Sequence, residues 1–303
     1  MPSELVASCP VCSHAHTRSF LTCRDYTVSQ ELFELVQCQR CAFTWTNPRP
    51  DANSIGAYYQ SDAYISHSDT RQGLIARVYH AVRRWTLQSK RRLIQTFVPQ
   101  PGALLDVGCG TGLFLEVCQR AGWQVTGVEP DSGARQRAQQ QTQRPIFPDL
   151  WTVDASAQFR VITLWHVLEH VHRLPETLHW LREHLTADGR LVIAVPNHLS
   201  ADAQTYGPHW AAYDVPRHLY HFTPGTLPAL LESVGFTLET TRPMPFDAFY
   251  VSLLSTRYRD GRVRYLEAFW QGLRSNWLAW RQTGQYSSLI YVFRHHDSGP
   301  VSR

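Results

Sequence analysis

Lysine is almost missing from this chain. Lys90 is the sole lysine among 29 cationic side chains, and all the others are arginine. Arginine stays charged and grips carboxylate or phosphate as a fork, although a bias spread evenly along a chain also follows from genome composition alone. Charge of either sign is scarce as well, with 18% of residues charged and a net charge of +4. That balance does not mark a dedicated nucleic-acid binder. No apolar run approaches the roughly 18–20 residues that a bilayer-spanning helix needs. The start, MPSELVASCPVC, lacks the basic residues and apolar stretch of a secretory signal, so a cytoplasmic location is expected. Repeats and low-complexity tracts are absent too. What is present is 43% apolar residues over 303 positions, enough for a sizeable core.

Composition shifts divide the chain. Five of the seven cysteines fall in the first 45 or so residues, which marks residues 1–46 as a small module. Residues 47–98 form a linker with Tyr58, Tyr59 and Tyr64, then a helical segment from Leu74 to Phe97 with Ile75, Val78, Val82 and Trp85 on one face. Between Thr70 and Thr96 there are seven cations (Arg71, Arg77, Arg83, Arg84, Lys90, Arg91, Arg92) and no acid, which reads as a solvated helix face. Contact with an anionic lipid surface is the second reading of that run. From residue 99 to 303 strands and helices alternate, with strands at Ala103–Val107, Gln124–Val128, Val161–Trp165, Arg190–Val195, Thr237–Thr241 and Ser287–Phe293. This spacing predicts an α/β domain with a doubly wound, Rossmann-like parallel sheet. Tyr265–Trp280, with Trp270, Trp277 and Trp280, reads as a packing helix or a pocket wall.

The segment Leu104-Leu105-Asp106-Val107-Gly108-Cys109-Gly110-Thr111-Gly112 follows a strand and opens a helix. Its glycines allow a sharp turn and let a ligand approach bare backbone. About 20 residues on, Glu129 ends the next strand, where a carboxylate can accept ribose hydroxyls. Asp106 sits on the near side of the loop, where an anion repels a pyrophosphate and suits an amino-bearing ligand.

This loop resembles motif I of the class I S-adenosylmethionine-dependent methyltransferases. Trp165-His166-Val167-Leu168-Glu169-His170-Val171 is similar to the segment after strand four in their ubiquinone-biosynthesis-like branch, and Gly189–Asn197 looks like their strand-five region. The resemblance implies S-adenosylmethionine as cofactor. It puts Asp106, Gly108, Cys109, Gly110 and Gly112 around the methionine end, Glu129 on the ribose, Asp149 or Leu150 near the adenine, and His166 facing the methionine end. Arg160 stands where the family has an acid at the start of strand four, so a local structural change is expected there.

Cys9-x-x-Cys12 and Cys38-x-x-Cys41 are two knuckles that together offer four thiolates, the shell that structural zinc favours. His14, His16 and Cys23 are spare donors. A zinc-ribbon-like module ahead of such a domain resembles the arrangement in sugar C-methyltransferases. Residues 200–224 form an insert rich in His, Tyr and Trp, placed after strand five where open α/β sheets bind ligands. His218, or else His166, is the candidate base, and Arg217 could pair with an anionic acceptor. Aligning His218-Leu219 on the sugar enzymes' His-Glu-His-Leu puts Arg217 where they have glutamate, which argues against a transferred C-methylation mechanism. The expectation is methyl transfer, as O-methylation, to a small-molecule, saccharide or lipid-linked acceptor. Sugar C-methylation and a non-catalytic cofactor-binding scaffold are the alternatives.

Overall fold

The computed structural model describes residues 2–60 and 74–296; Tyr64 and Arg71, and the side chains of Ile75, Arg77 and Val78, lie outside what it describes. In chain order the N-terminal strands are β1 (Ser3–Glu4), β2 (Thr17–Arg24), β3 (Leu32–Cys38), β4 (Thr44–Thr46) and β5 (Arg49–Pro50), followed by α1 (Leu74–Phe97). The larger unit runs β6 (Ala103–Val107), α2 (Leu113–Arg120), β7 (Gln124–Val128), α3 (Ser132–Thr142), β8 (Ile146–Phe147), β9 (Phe159–Trp165), α4 (Leu174–His184) and β10 (Leu185–Pro196). It continues with α5 (Ala201–Tyr206), β11 (Tyr220–His221), α6 (Thr226–Ser233), β12 (Phe236–Pro243), α7 (Asp247–Asp260), α8 (Tyr265–Leu278) and β13 (Ser288–His295).

Seven of these strands form one sheet in the order β12-β13-β10-β9-β6-β7-β8. Its central strands are apolar on both sides: Leu104, Leu105, Val161, Ile162, Leu164 and the run from Leu191 to Ala194 are fully buried. Such continuous runs suit a parallel sheet covered on both faces, and a separate apolar cluster lies on each face. The α/β fold read from the sequence is therefore present. Its sheet is not parallel throughout, because β13 is antiparallel to both β10 and β12. The register Pro196↔Ser288 shows why: α7 and α8 return the chain to the end of the sheet where β10 finishes, so β13 starts there and runs backwards. β10 begins before the strand read at Arg190–Val195, with a register shift between Leu185 and Arg190. β9 runs straight through Arg160, which pairs with Asp188 at 2.9 Å.

The small sheet has the order β11-β4-β3-β2. Its last strand comes from the 200–224 insert, with Tyr220↔Trp45 and His221↔Thr44 in register. Residues 1–46 thus share their sheet with a segment far along the chain. Arg217 locks this joint. Its side chain is 1% exposed and donates to Asp214 at 2.6 Å, to Asp25 at 3.1 Å and to the Tyr58 carbonyl at 2.9 Å. The reading of Arg217 as an anion-binding group is corrected: its fork is spent on two carboxylates of the protein itself. The Tyr265–Trp280 stretch is a helix, yet Trp270, Trp277 and Trp280 are 63%, 50% and 70% exposed, so these rings are not core.

Candidate active site

The glycine loop leaves β6 and enters α2 at the carboxyl end of the sheet. The amides of Gly108 and Cys109 both donate to the Val128 carbonyl, at 2.7 and 3.0 Å, which ties the loop to the tip of β7. Gly108 has φ +70°, and a Cβ there would lie 2.4 Å from Val167, so only glycine fits. At Gly110, with φ +55°, a Cβ would meet nothing within 4 Å, so the backbone faces open space. Its amide donates to Glu129 at 2.8 Å, and the second oxygen of Glu129 takes the Asp131 amide at 3.0 Å. Burial raises the Glu129 carboxyl above its ordinary range, against the pull of those amides. Asp106 is 2% exposed and accepts from the Thr163 hydroxyl at 2.6 Å. Burial pushes its carboxyl up to about 7, while the Thr163 bond and the Lys90 charge pull it back.

The remaining residues of the expected cofactor set differ in kind. Gly112 starts α2 with its Cα side against Ala138, a packing role. Cys109 turns its sulfur inward, against the space beside Gly127. Leu150 faces the core, and Asp149 caps the 3-10 turn after it by accepting from the Thr152 amide at 3.0 Å. The structure brings Asp106, Gly108, Gly110 and Glu129 together around one loop.

His166 follows β9 with φ +58°. Its Nε2 lies 3.1 Å from Asp247 at the start of α7, and its Nδ1 lies 3.4 Å from Glu169. Burial opposes a charged ring, but the two carboxylates outweigh it and raise the imidazole to about 9. A carboxylate near each ring nitrogen favours the protonated form, which suits a positioning role for His166 better than that of a base. Lys90 reaches in from α1, its Nζ 4.2 Å from the centroid of the Trp165 ring and within the fields of Asp247 and Asp106. Burial lowers its pKa and the two acids raise it. For Lys90 the solvated-face reading fails. The sequence singled it out only as a lone lysine, and Asp247 carried no signal at all.

Glu169 is fully buried, and neither of its oxygens has a hydrogen bond. Burial disfavours its charge, yet His166 beside it holds its pKa below the ordinary value. His218 donates from Nδ1 to the Ala212 carbonyl at 2.9 Å, which leaves Nε2 as an acceptor. His170, with rings 4.6 Å apart centre to centre, sits edge-on to it and is held neutral by burial, its pKa down to about 4. Glu169, His170 and His218 each bring one donor atom within 4.8 Å of the others. His221 is buried against Thr46, and burial keeps it neutral, a structural place in the joint between the sheets.

The four cysteines converge as expected. Cys9 and Cys41 sulfurs are 3.5 Å apart, Cys12 and Cys38 sulfurs 3.6 Å, and all four lie within 4.8 Å. Zinc–sulfur bonds of about 2.3 Å in a tetrahedron set sulfurs about 3.8 Å apart, so the donor set fits that ion. Left-handed residues Ser13 and Ala42 close the two knuckles in the same way, their amides returning to the carbonyls of Cys9 and Cys38. The spare donors stay apart: His14 and His16 pair with each other, and Cys23 packs among Tyr206, Trp210 and Tyr213.

Comparison with known proteins is consistent with this geometry. A ubiquinone biosynthesis O-methyltransferase of Azorhizobium caulinodans is 26% identical over 163 residues, an alignment covering 48% of this chain and 62% of that protein, less than two thirds of its length. A magnesium protoporphyrin IX methyltransferase from Synechocystis PCC 6803, solved with bound SAH, shares the fold with a TM-score of 0.53 at 15% identity, covering 80% of this chain and 99% of that one. The family model described as a methyltransferase domain matches residues 79–241. With more than half of its length in that match, the chain belongs to the methyltransferase-domain family.

Proposed function

We propose that this protein transfers a methyl group from S-adenosylmethionine to a hydroxyl of a small-molecule, saccharide or lipid-linked acceptor. The observation that carries the reading is the pairing of Asp106 and Glu129 on neighbouring strand tips, on either side of the open Gly110 backbone. Asp106 would take the amino group of the methionyl part, Gly108 and Gly110 its approach to the backbone, and Glu129 the ribose. Once bound, the cofactor supplies an electrophilic methyl on a sulfonium, which needs little acid or base help to leave.

The chain's own residues then have two tasks, to orient an acceptor and to manage its proton. His218 suits the second, since its Nδ1–H is fixed on Ala212 and its Nε2 is left to accept. Glu169 beside it offsets the positive charge that His218 gains, and Asp214, 3.9 Å from Nε2, adds to this. Protonated His166, held by Asp247 and Glu169, would orient and not deprotonate. Arg217, buried in its own ion pairs, offers nothing in place of the glutamate of the sugar C-methyltransferases, which favours O-methylation. Zinc in the four-cysteine site would be structural, because four thiolates leave no open position.

Calorimetry should show S-adenosylmethionine binding to the wild-type chain and binding at least about tenfold weaker, about 1.4 kcal/mol, in Asp106→Asn. Equal affinity in the two proteins would remove the reading. With a catechol as acceptor, His218→Gln should lose about 10²–10⁴ in kcat with cofactor affinity unchanged. A loss of less than about tenfold would take the base role from His218. Metal analysis of purified protein should find about one zinc ion per chain, and Cys38→Ser should release it. A wild-type zinc content below about half an ion per chain would contradict the assignment.

A further inference from the structure

We infer that the outer face of α8 is a docking surface for the headgroup layer of an anionic lipid bilayer. The inference rests on this surface alone and stands or falls independently of the methyl-transfer reading. Tyr265, Leu266, Phe269, Trp270, Trp277 and Trp280 are all exposed, Leu266 and Trp280 at 79% and 70%. At roughly 100° per residue the five in α8 fall within an arc about 140° wide, and Trp280 follows in the π-helical turn Ala279–Thr283. The opposite side of the same helix, with Ala268, Gly272 and Ser275, is buried against α7 and α5. A water-soluble helix normally turns its aromatic side inward; here the small residues face the protein and the large rings face out.

The chemistry of the face selects its occupant. Tryptophan and tyrosine sit preferentially at the boundary between headgroups and acyl chains, where a ring with one polar edge suits both sides. Arg274 falls on one edge of the arc and Arg281 follows in the π-helical turn after it, where arginines on an interfacial helix meet lipid phosphates. Residues 242–284 hold seven arginines against three acids, a surplus of four that equals the net charge of the whole chain. The three acids are engaged: Asp247 with His166, and Asp260 and Glu267 with Arg259. A second copy of this chain is the poorer fit, because it brings the same surplus of arginines and the same already engaged acids to the contact. An anionic bilayer neutralises the arginines.

The position of the surface adds a third argument. Phe246, 40% exposed, meets the edge of Trp85 at a centroid distance of 5.2 Å, and the next residue, Asp247, holds His166. Asn276 of α8 donates to the Pro245 carbonyl at 2.8 Å, so α8 meets the segment that carries Phe246 beside the candidate active site. Both α7 and α8 lie beyond residue 241, outside the span matched by the family model.

Flotation of the full chain with vesicles of phosphatidylcholine, alone or with about one third phosphatidylglycerol, tests this directly. The protein should float with the anionic vesicles, lose most of that binding in high salt, and shift its tryptophan emission to the blue when bound. The double variant Trp277→Ser/Trp280→Ser should bind about tenfold more weakly while its far-ultraviolet circular dichroism is unchanged. Should that variant fail to fold, Arg274→Glu/Arg281→Glu supplies the same test through charge. No flotation with anionic vesicles, or equal flotation with neutral ones, overturns the proposal. So does a dimer in light scattering that either double variant dissolves, since a second copy would then be what covers the face.

Discussion

Buried charge of alternating sign holds this molecule's working parts in place. Asp106, Lys90, Asp247, His166 and Glu169 follow one another from the tip of β6 to the turn after β9, acid and base in turn. Asp106 and Glu169 are buried and the other three partly so; an unpaired charge is costly there, and each is made tolerable by its neighbours. The five groups come from α1, β6, α7 and the segment after β9, so the helices that cover the sheet are fixed relative to the glycine loop by electrostatics as well as by packing. The balance also has a pH sense. His166 has its pKa raised well above an unfolded histidine's, so its contribution to stability is complete below about pH 6.5 and is lost as pH rises through about 9. Raising the Asp106 carboxyl to about 7 acts in the same direction, since the native state then holds a proton that the unfolded chain has already given up.

The cysteine module acts on the same centre from a distance. Thr46 in β4 donates its hydroxyl to the His218 carbonyl at 2.8 Å, and its amide meets the Leu219 carbonyl at 3.0 Å. β11 continues that contact as a strand of the module's sheet, and Arg217 ties the insert to Asp25 in the module. The candidate base therefore stands on a segment whose backbone the module holds. A metal in the four-cysteine site would stiffen the knuckle that ends β3 and leads into β4, and through Thr46 the place of His218.

What could be read beforehand was what is written locally. The glycine loop and Glu129 share one strand-turn-helix-strand unit, so their meeting follows from a short stretch of sequence. The two Cys-x-x-Cys pairs likewise announce their own geometry. Lys90 could not be read this way, because in a helix full of arginines nothing local marks it as a cation placed near Asp106 and Asp247. Asp247 lies far along the chain, and only the path from β12 through α7 brings it to His166. Arg217 sits among plausible ligand-binding residues, and its true partner, Asp25, belongs to a different sheet. The antiparallel β13 depends on where α7 and α8 return the chain, a tertiary choice that strand patterning does not encode. The exposure of the α8 aromatics was not legible for a related reason: periodicity shows that a face is apolar and not which way it points.

Titration of the imidazole nitrogens by NMR, with His166 assigned by comparison with His166→Gln, addresses the alternating charges directly. The account predicts that His166 stays protonated through neutral pH and loses its proton near pH 9, and that Asp247→Asn lowers that midpoint. A midpoint at or below the ordinary histidine value of about 6.5 would mean that the two carboxylates do not hold a charged ring between them, and the account would be wrong.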